Sequence, residues 1–344
     1  MSTVYVLGAG ASRHAGYPLA SDMGAGLLEW MSRSYGSRYT SDVRLLIEEF
    51  GKSPNIEDVI TEIGAEINAL NGQDVATKFK REVLGNCRGR ITEAIREWFR
   101  EIHCQPSVAY TRFAAAIVRA GDVVVTFNYD DSLEKELRTA GKWDVSQGYG
   151  FRLGDSDQPS PVLVLKLHGS INWLVSILNG ATSGPAFVGS KGLLGGAPVI
   201  HLADLDYLGY GAFSGRTYPG GGAFPALILP GRKKEFFYDT SHGPEFAEFW
   251  QNLWSQAVNA LRQAEDIVLC GYSLLPVDER ARELILQAPN KSARVTILSG
   301  SQSSRIAEDF RAAGFQSCGV FNGYFEHWVQ ERSAPELLAL RVCS

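Results

Sequence analysis

Histidine, asparagine and aspartate recur where apolar runs stop, and each time a glycine or a hydroxyl stands beside them. Asn128 and Asp130 follow Val123-Val124-Val125-Thr126-Phe127, and His168, Gly169 and Ser170 follow Val162-Leu163-Val164-Leu165-Lys166-Leu167. Gly271, Tyr272 and Ser273 follow Asp266-Ile267-Val268-Leu269-Cys270, and Gly8-Ala9-Gly10-Ala11-Ser12 follows Val4-Tyr5-Val6-Leu7. These residue types suit proton transfer and the holding of a ligand rich in hydroxyls and phosphate. An imidazole titrates near neutrality, so His168 suits a general base; a histidine that bonds a backbone carbonyl to fix a turn is its other reading. The neutral carboxamide of Asn128 both donates and accepts, which suits a ribose hydroxyl or a water. Asp130 also has two readings, a catalytic carboxylate or a cap for the helix that follows. Gly8 and Gly10 allow positive φ and close backbone approach, so main-chain N–H groups at this turn can face a pyrophosphate.

The turn departs from the G-x-G-x-x-G dinucleotide pattern, because Arg13 stands where the third glycine belongs and Gly16 comes three residues late. Inside it, Arg13 is a better anion partner than His14. His103, His201, His242 and His327 lack metal-ligand spacing and read as surface or packing residues. The five cysteines (Cys87, Cys104, Cys270, Cys318 and Cys343) include no C-x-x-C pair, so neither a metal site nor a disulfide framework is expected. No nucleophile elbow, Walker lysine or zinc-protease helix motif occurs. Phe236, Phe237, Trp250 and Trp254 read as core, and Lys233 and Lys234 as a solvated face.

The elements that must position these groups alternate between strands and helices, the pattern of a doubly wound parallel sheet covered on both faces. Ligands of such sheets bind outside the carboxyl ends of the strands, so the four polar ends should line one crevice. Helical periodicity runs over Leu19–Tyr35, Ser41–Phe50, Asn55–Leu70, Thr77–Leu84, Arg90–His103 and Ser107–Arg119, far more than the ~30 residues of a simple βαβ unit. Further helices are expected over Ser132–Thr139, capped by Asp131 or Ser132, and over Glu245–Gln263, Asp278–Gln287 and Ser303–Ala313. Ala226–Pro230 and Arg294–Ser299 read as strands. The expected organisation is one domain over 1–344, with a helical insertion at 30–120 and a loop-rich insertion at 174–245, richest in glycine and proline over 179–225.

At 344 residues, 45% hydrophobic and 21% charged, the chain can bury a sizeable core. Its net charge of −5 and pI of about 5.8 give no field to draw it to nucleic acid or anionic lipid. The first residues enter strand pattern at once, so no signal peptide is expected, and no run is long enough to span a bilayer. A cytoplasmic location is expected.

The segments G-A-G-A-S, A-G-Y-P, T-F-N-Y-D, L-H-G-S and G-Y-S-L, in this order, resemble the sirtuin (silent information regulator) family. They resemble the bacterial branch used in anti-phage defence more than the protein deacetylases, as do Pro54–Val59 and Leu229–Lys233. The resemblance implies a Rossmann-like doubly wound sheet with a large helical insertion after the first strand. It implies NAD⁺ as substrate, with Gly8, Ala9, Gly10, Ala11 and Ser12 around the phosphates and Asn128 at the nicotinamide ribose. His168 would be the base, Gly271, Tyr272 and Ser273 would lie along the adenosine half, and Thr126, Asp130, Gly169 and Ser170 would complete the pocket. Deacetylating sirtuins carry two C-x-x-C pairs on a zinc module and continue Gly-Tyr-Pro with Asp-Phe-Arg. This chain has no such pair and continues with Leu19-Ala20-Ser21, against lysine deacylation and against a metal.

The activity implied is hydrolysis of NAD⁺ to nicotinamide and ADP-ribose by a gated effector in anti-phage defence. A homo-oligomer, or a separate sensor protein such as an ATPase or a short Argonaute, would hold the gate. Three other functions compete: an NAD⁺ or ADP-ribose sensor without turnover, a sirtuin-type protein deacylase or ADP-ribosyltransferase, and a Rossmann oxidoreductase. Arg13, and the lack of an acidic strand tip about 20 residues on, count against the last.

Overall fold

A computed structural model describes residues 2–35, 37–50, 55–103, 107–151, 159–177, 186–187, 198–202, 223–229, 244–274 and 278–342. The chain opens with β1 (Thr3–Leu7), then α1 (Ala20–Tyr35), α2 (Ser37–Phe50), α3 (Ile56–Ala69), α4 (Val75–His103) and α5 (Val108–Arg112). It continues with β2 (Val123–Thr126), α6 (Ser132–Thr139), β3 (Leu163–Lys166), β4 (Gly169–Ile177), β5 (Ala186–Phe187), β6 (Pro198–Leu202) and β7 (Ala223–Leu227). Last come α7 (Pro244–Gln263), β8 (Asp266–Cys270), α8 (Glu279–Gln287), β9 (Arg294–Leu298), α9 (Ser303–Ala312), β10 (Ser317–Val320) and α10 (Phe325–Val342).

Six strands form one parallel sheet in the order β10-β9-β8-β1-β2-β3. Counted along the chain within this sheet, that is 3-2-1-4-5-6, the Rossmann-like doubly wound order. β1 sits at its centre, paired with β2 on one edge and β8 on the other. Its run can be apolar throughout because both faces are covered: Val4, Tyr5, Val6 and Leu7 are all buried. Chain direction across the sheet reverses between β1 and β8, which puts the binding crevice of such folds outside their carboxyl ends.

The helices between β1 and β2 pack on one another, and α4 also reaches β4 and β7. α4 is one helix of 29 residues where two were expected. The gap between the two expected helices holds Gly85 and Gly89, which cost about 1 kcal/mol each in a helix interior. Leu84, Cys87, Ile91, Ala94, Ile95 and Phe99 are buried along one side of it, and their packing outweighs that cost. The expected Ser107–Arg119 helix is α5, capped by Ser107, followed by a wider turn over Phe113–Ile117.

β4 is a nine-residue strand that runs into the region expected to hold loops and short strands, and with the short β5, β6 and β7 it forms a second, antiparallel sheet in the order β5-β6-β4-β7. Most of 179–225, together with Pro54, Phe236, Phe237, Lys233, Lys234 and His242, lies outside the described residues. β10 and α10 were not expected from the sequence. No helix among the described residues is long and apolar enough to cross a membrane.

His168 reaches the crevice through a reversal at Gly169, which joins β3 to β4 at a φ of +82°. A Cβ there would stand 1.8 Å from the Ala226 carbonyl oxygen. Gly169→Ala therefore meets both a left-handed backbone and a clash with β7. Gly121→Ala, at φ +91° with nothing within 4 Å, meets only the backbone cost. In urea unfolding, Gly121→Ala should lose about 1 kcal/mol and Gly169→Ala about 3 kcal/mol or more. Equal losses would contradict this account of the reversal.

Candidate functional site

After β1 the backbone makes two short helical turns, Ala9–Ala11 and Arg13–Ala15, and closes at Gly16. The turn is pressed against the end of β8: Gly8 N–H donates to Cys270 O at 2.9 Å and Gly10 N–H to Gly271 O at 2.9 Å. Close approach is why glycine stands here, since a Cβ on Gly8 would lie 2.7 Å from the Gly271 oxygen. The amides of Gly8 and Gly10 therefore serve the end of the neighbouring strand. The first residues of the two turns are Ala9 and Arg13, whose N–H groups find no acceptor inside their own turn. Arg13 is exposed. His14 turns inward, with Nδ1 3.1 Å from Ser107 Oγ and its ring stacked on Phe325, and burial pushes its pKa down.

Ser12 is the node beneath the turn. Its hydroxyl is 1% exposed by residue and donates to Asp130 Oδ2 at 2.7 Å. Since Ser12 has one proton to give, Tyr110 OH donates to it, at 2.7 Å, and Asn128 Nδ2 donates at 2.9 Å. The second Nδ2 proton of Asn128 goes to Gly8 O at 2.9 Å. Two acceptors on the nitrogen side fix which way the carboxamide faces. Its N–H backbone group is held by Thr126 Oγ1 at 3.1 Å, and that hydroxyl donates to Leu7 O at 3.3 Å. What Asn128 offers a ligand is thus Oδ1, an acceptor on a half-buried side chain.

His168 is 5% exposed, deeper than a ring at a crevice mouth. It packs on Phe127, centroids 5.0 Å apart, and Phe127 stacks on Tyr272 at 4.7 Å. Nε2 of His168 lies 3.9 Å from Asp278 Oδ2, which accepts the Tyr272 hydroxyl at 3.0 Å. The His168 carbonyl accepts from Ile228 N–H at 2.9 Å, so the backbone of this residue fixes the turn.

Below Asn128 lies a buried charged layer. Lys166 Nζ pairs with Glu134 Oε1 at 2.9 Å and also donates to the Asp130 carbonyl. Asp130, Asp131 and Glu134 are all buried beside it. Burial raises the pKa of Asp130 and pushes Glu134 up to about 7, a larger effect than the opposing attraction of Lys166. Asp130 Oδ1 accepts from Ser132 N–H at 3.3 Å at the start of α6, whereas Asp131 occupies the N-cap position without a side-chain cap bond. Capping here falls to Asp130.

The structure gathers Gly8 to Ser12, Asn128 and Gly271 to Ser273 around the ends of β1, β2 and β8. Ala9, Gly10, Asn128, Gly271, Tyr272 and Ser273 keep partial exposure there. Ala11, Ser12, Thr126, Asp130 and Ser170 stand behind them; Ser170 Oγ, for one, donates to Tyr129 O at 3.3 Å. Tyr110 and Asp278 are the participants the sequence did not single out. Lys166, inside an otherwise apolar strand run, was a visible signal of buried charge. Among the described residues, no group of three or more His, Cys, Asp or Glu side chains is placed to hold a metal.

No protein-family model matches the chain, and no curated protein matches its sequence. Among solved structures it is similar to a Sir2 homologue–NAD complex, at 12% identity and a TM-score of 0.45, covering 98% of this chain and 90% of that one. It is also similar to a mutant Sir2 homologue in complex with 2′-O-acetyl ADP ribose, at 13% identity and a TM-score of 0.43, covering 99% and 93%. A third is a Sir2 enzyme structure described for mechanism and regulation, at 16% identity and a TM-score of 0.41, covering 99% and 93%. The fold class rests on the strand order of the sheet rather than on these likenesses.

Ser12→Ala leaves Asp130 Oδ2, Tyr110 OH and one Asn128 proton without their common partner. In urea unfolding it should lose about 2–4 kcal/mol; a loss under about 1 kcal/mol would contradict the node. Glu134 holds its proton from its ordinary 4.5 up to about 7, so in that window the folded chain binds a proton the unfolded chain has released. The resulting stability is full below pH 4.5 and is lost as pH rises through about 7. Across this window the unfolding midpoint should fall with pH more steeply in wild type than in Glu134→Gln, and equal slopes would count against the assignment.

Proposed function

We propose that the chain hydrolyses NAD⁺ to nicotinamide and ADP-ribose, with Asn128 orienting and His168 acting as base. One observation carries this reading. Both amide protons of Asn128 are committed to Gly8 O and Ser12 Oγ, so its Oδ1 is fixed as an acceptor beside the glycine turn, at the switch point of the sheet. A ribose hydroxyl or the attacking water is the proton donor such an acceptor suits. The phosphates would lie by Ala9 and Arg13, and the adenosine half along Gly271, Tyr272 and Ser273.

In the reaction the bond between C1′ and the nicotinamide nitrogen breaks, and its electron pair neutralises the pyridinium. A water oxygen bonds to C1′, and the water's proton passes to His168 and then to solvent. The leaving group is good and the transition state has oxocarbenium character, so orientation and exclusion of bulk water supply much of the rate. The ordered motifs similar to the defence branch of sirtuins support a gated effector in anti-phage defence. Such a gate would be held by self-association or by a separate sensor such as an ATPase or short Argonaute. α10 packs on the Ala9–Ala11 turn and gives that gate a route to the site.

The burial of His168 behind Phe127 favours a second reading, a protein that binds NAD⁺ or ADP-ribose without turning it over.

Purified protein should release nicotinamide and ADP-ribose in equal amounts from NAD⁺, more per molecule as self-association rises. Asn128→Ala and His168→Ala should each lower turnover about 100-fold or more. If NAD⁺ binds and stays intact at every protein concentration and with neighbouring-gene products added, the binding-only reading replaces the hydrolase.

A further inference from the structure

Asp278 stands at the N-cap position of α8, yet its side chain makes no cap hydrogen bond. An aspartate there ordinarily accepts from an early helical amide, worth about 1 kcal/mol. Its carboxylate is turned instead toward two residues of the site. Oδ2 accepts from Tyr272 OH at 3.0 Å and lies 3.9 Å from His168 Nε2. The last distance is too long for a hydrogen bond but short for a charge interaction. The His168 and Asp278 side chains are only 6% and 13% exposed, so little water screens them from each other. Phe127 closes the frame, touching the His168 ring on one side and the Tyr272 ring on the other.

We propose that Asp278 is the positioning residue of His168. It sets which way the imidazole faces and stabilises the imidazolium formed when the ring takes a proton. Tyr272 holds the carboxylate for this task. A base that receives a proton from water gains most from a fixed anion on its far side, because the positive charge then forms next to a negative one already in place. For its consequence in catalysis the inference rests on the hydrolase reading; the pairing of Asp278 with His168 rests on geometry alone.

The test uses the full chain with Asp278→Asn, Asp278→Glu and His168→Ala. Asparagine keeps the shape of the side chain and an acceptor for Tyr272 OH, but carries no charge. Asp278→Asn should lower kcat for NAD⁺ hydrolysis about 10–100-fold with KM changed by no more than about twofold. Its unfolding midpoint should stay at the wild-type value, and Asp278→Glu, which can span the gap, should recover most of kcat. Independently of turnover, nitrogen-15 resonances of the His168 ring should move in Asp278→Asn while those of His14 stay. Unmoved His168 resonances overturn the inference whatever the activity, and so does retained kcat in Asp278→Asn when His168→Ala is dead. If the resonances move while neither Asp278→Asn nor His168→Ala alters turnover, the hydrolase reading falls and the pairing stands.

Discussion

The Ser12 hydroxyl is the interaction on which the site depends. One oxygen, with one proton, is shared by Asp130, Tyr110 and Asn128, residues from the end of β2 and from α5. Because Ser12, Tyr110 and Asp130 are buried, water does not replace the bonds among them, and the arrangement has little freedom to rotate. The orientation of the Asn128 carboxamide follows from it, and so does the face on which the acceptor Oδ1 lies. The glycine turn is therefore best understood as a clamp: it seats β1 against β8 and delivers Ser12 to its partners.

A second constraint lies one layer deeper. Three acidic residues, Asp130, Asp131 and Glu134, are buried in this layer, and the ammonium of Lys166 pairs with Glu134 and donates to the backbone carbonyl of Asp130. Burial of these acids favours their protonated forms against the attraction of Lys166, and it raises the pKa values of Asp130 and Glu134. The layer ties α6 to β3 through Glu134 and Lys166 and supports the backbone of Asp130 directly below Asn128. Stability and site geometry are coupled here, since the groups that titrate also carry the loop that presents Asn128.

Much of the fold was legible because its signals are local. An apolar run that stops at a glycine, a hydroxyl or an imidazole is visible within ten residues, and the β1, β2, β3 and β8 ends were all marked so. Contacts between distant residues were not legible: Ser12 meets Tyr110 across 98 positions of chain. Asp278 read as the ordinary start of a helix, because nothing in its neighbourhood signals that its side chain faces His168. Helical periodicity lapses between Leu84 and Arg90, where Gly85 and Gly89 stand, and packing of the buried side carries α4 through that gap. β10, Ser317–Val320, is mostly exposed and lacks the apolar run that marks the inner strands. β4 to β7 form a sheet whose glycine- and proline-rich surroundings resemble loop.

The proposed ribose-bearing ligand would meet a turn that closes β1 onto β8 and a fixed acceptor at the switch point of a doubly wound sheet. The most direct measurement is a crystal structure with ADP-ribose, which keeps the ribose and phosphates but has no nicotinamide bond to break. The account predicts a ribose hydroxyl donating to Asn128 Oδ1, with Nδ2 still on Gly8 O and Ser12 Oγ. Density for ADP-ribose elsewhere on the chain, or an Asn128 amide turned over to donate to the ligand, would contradict it.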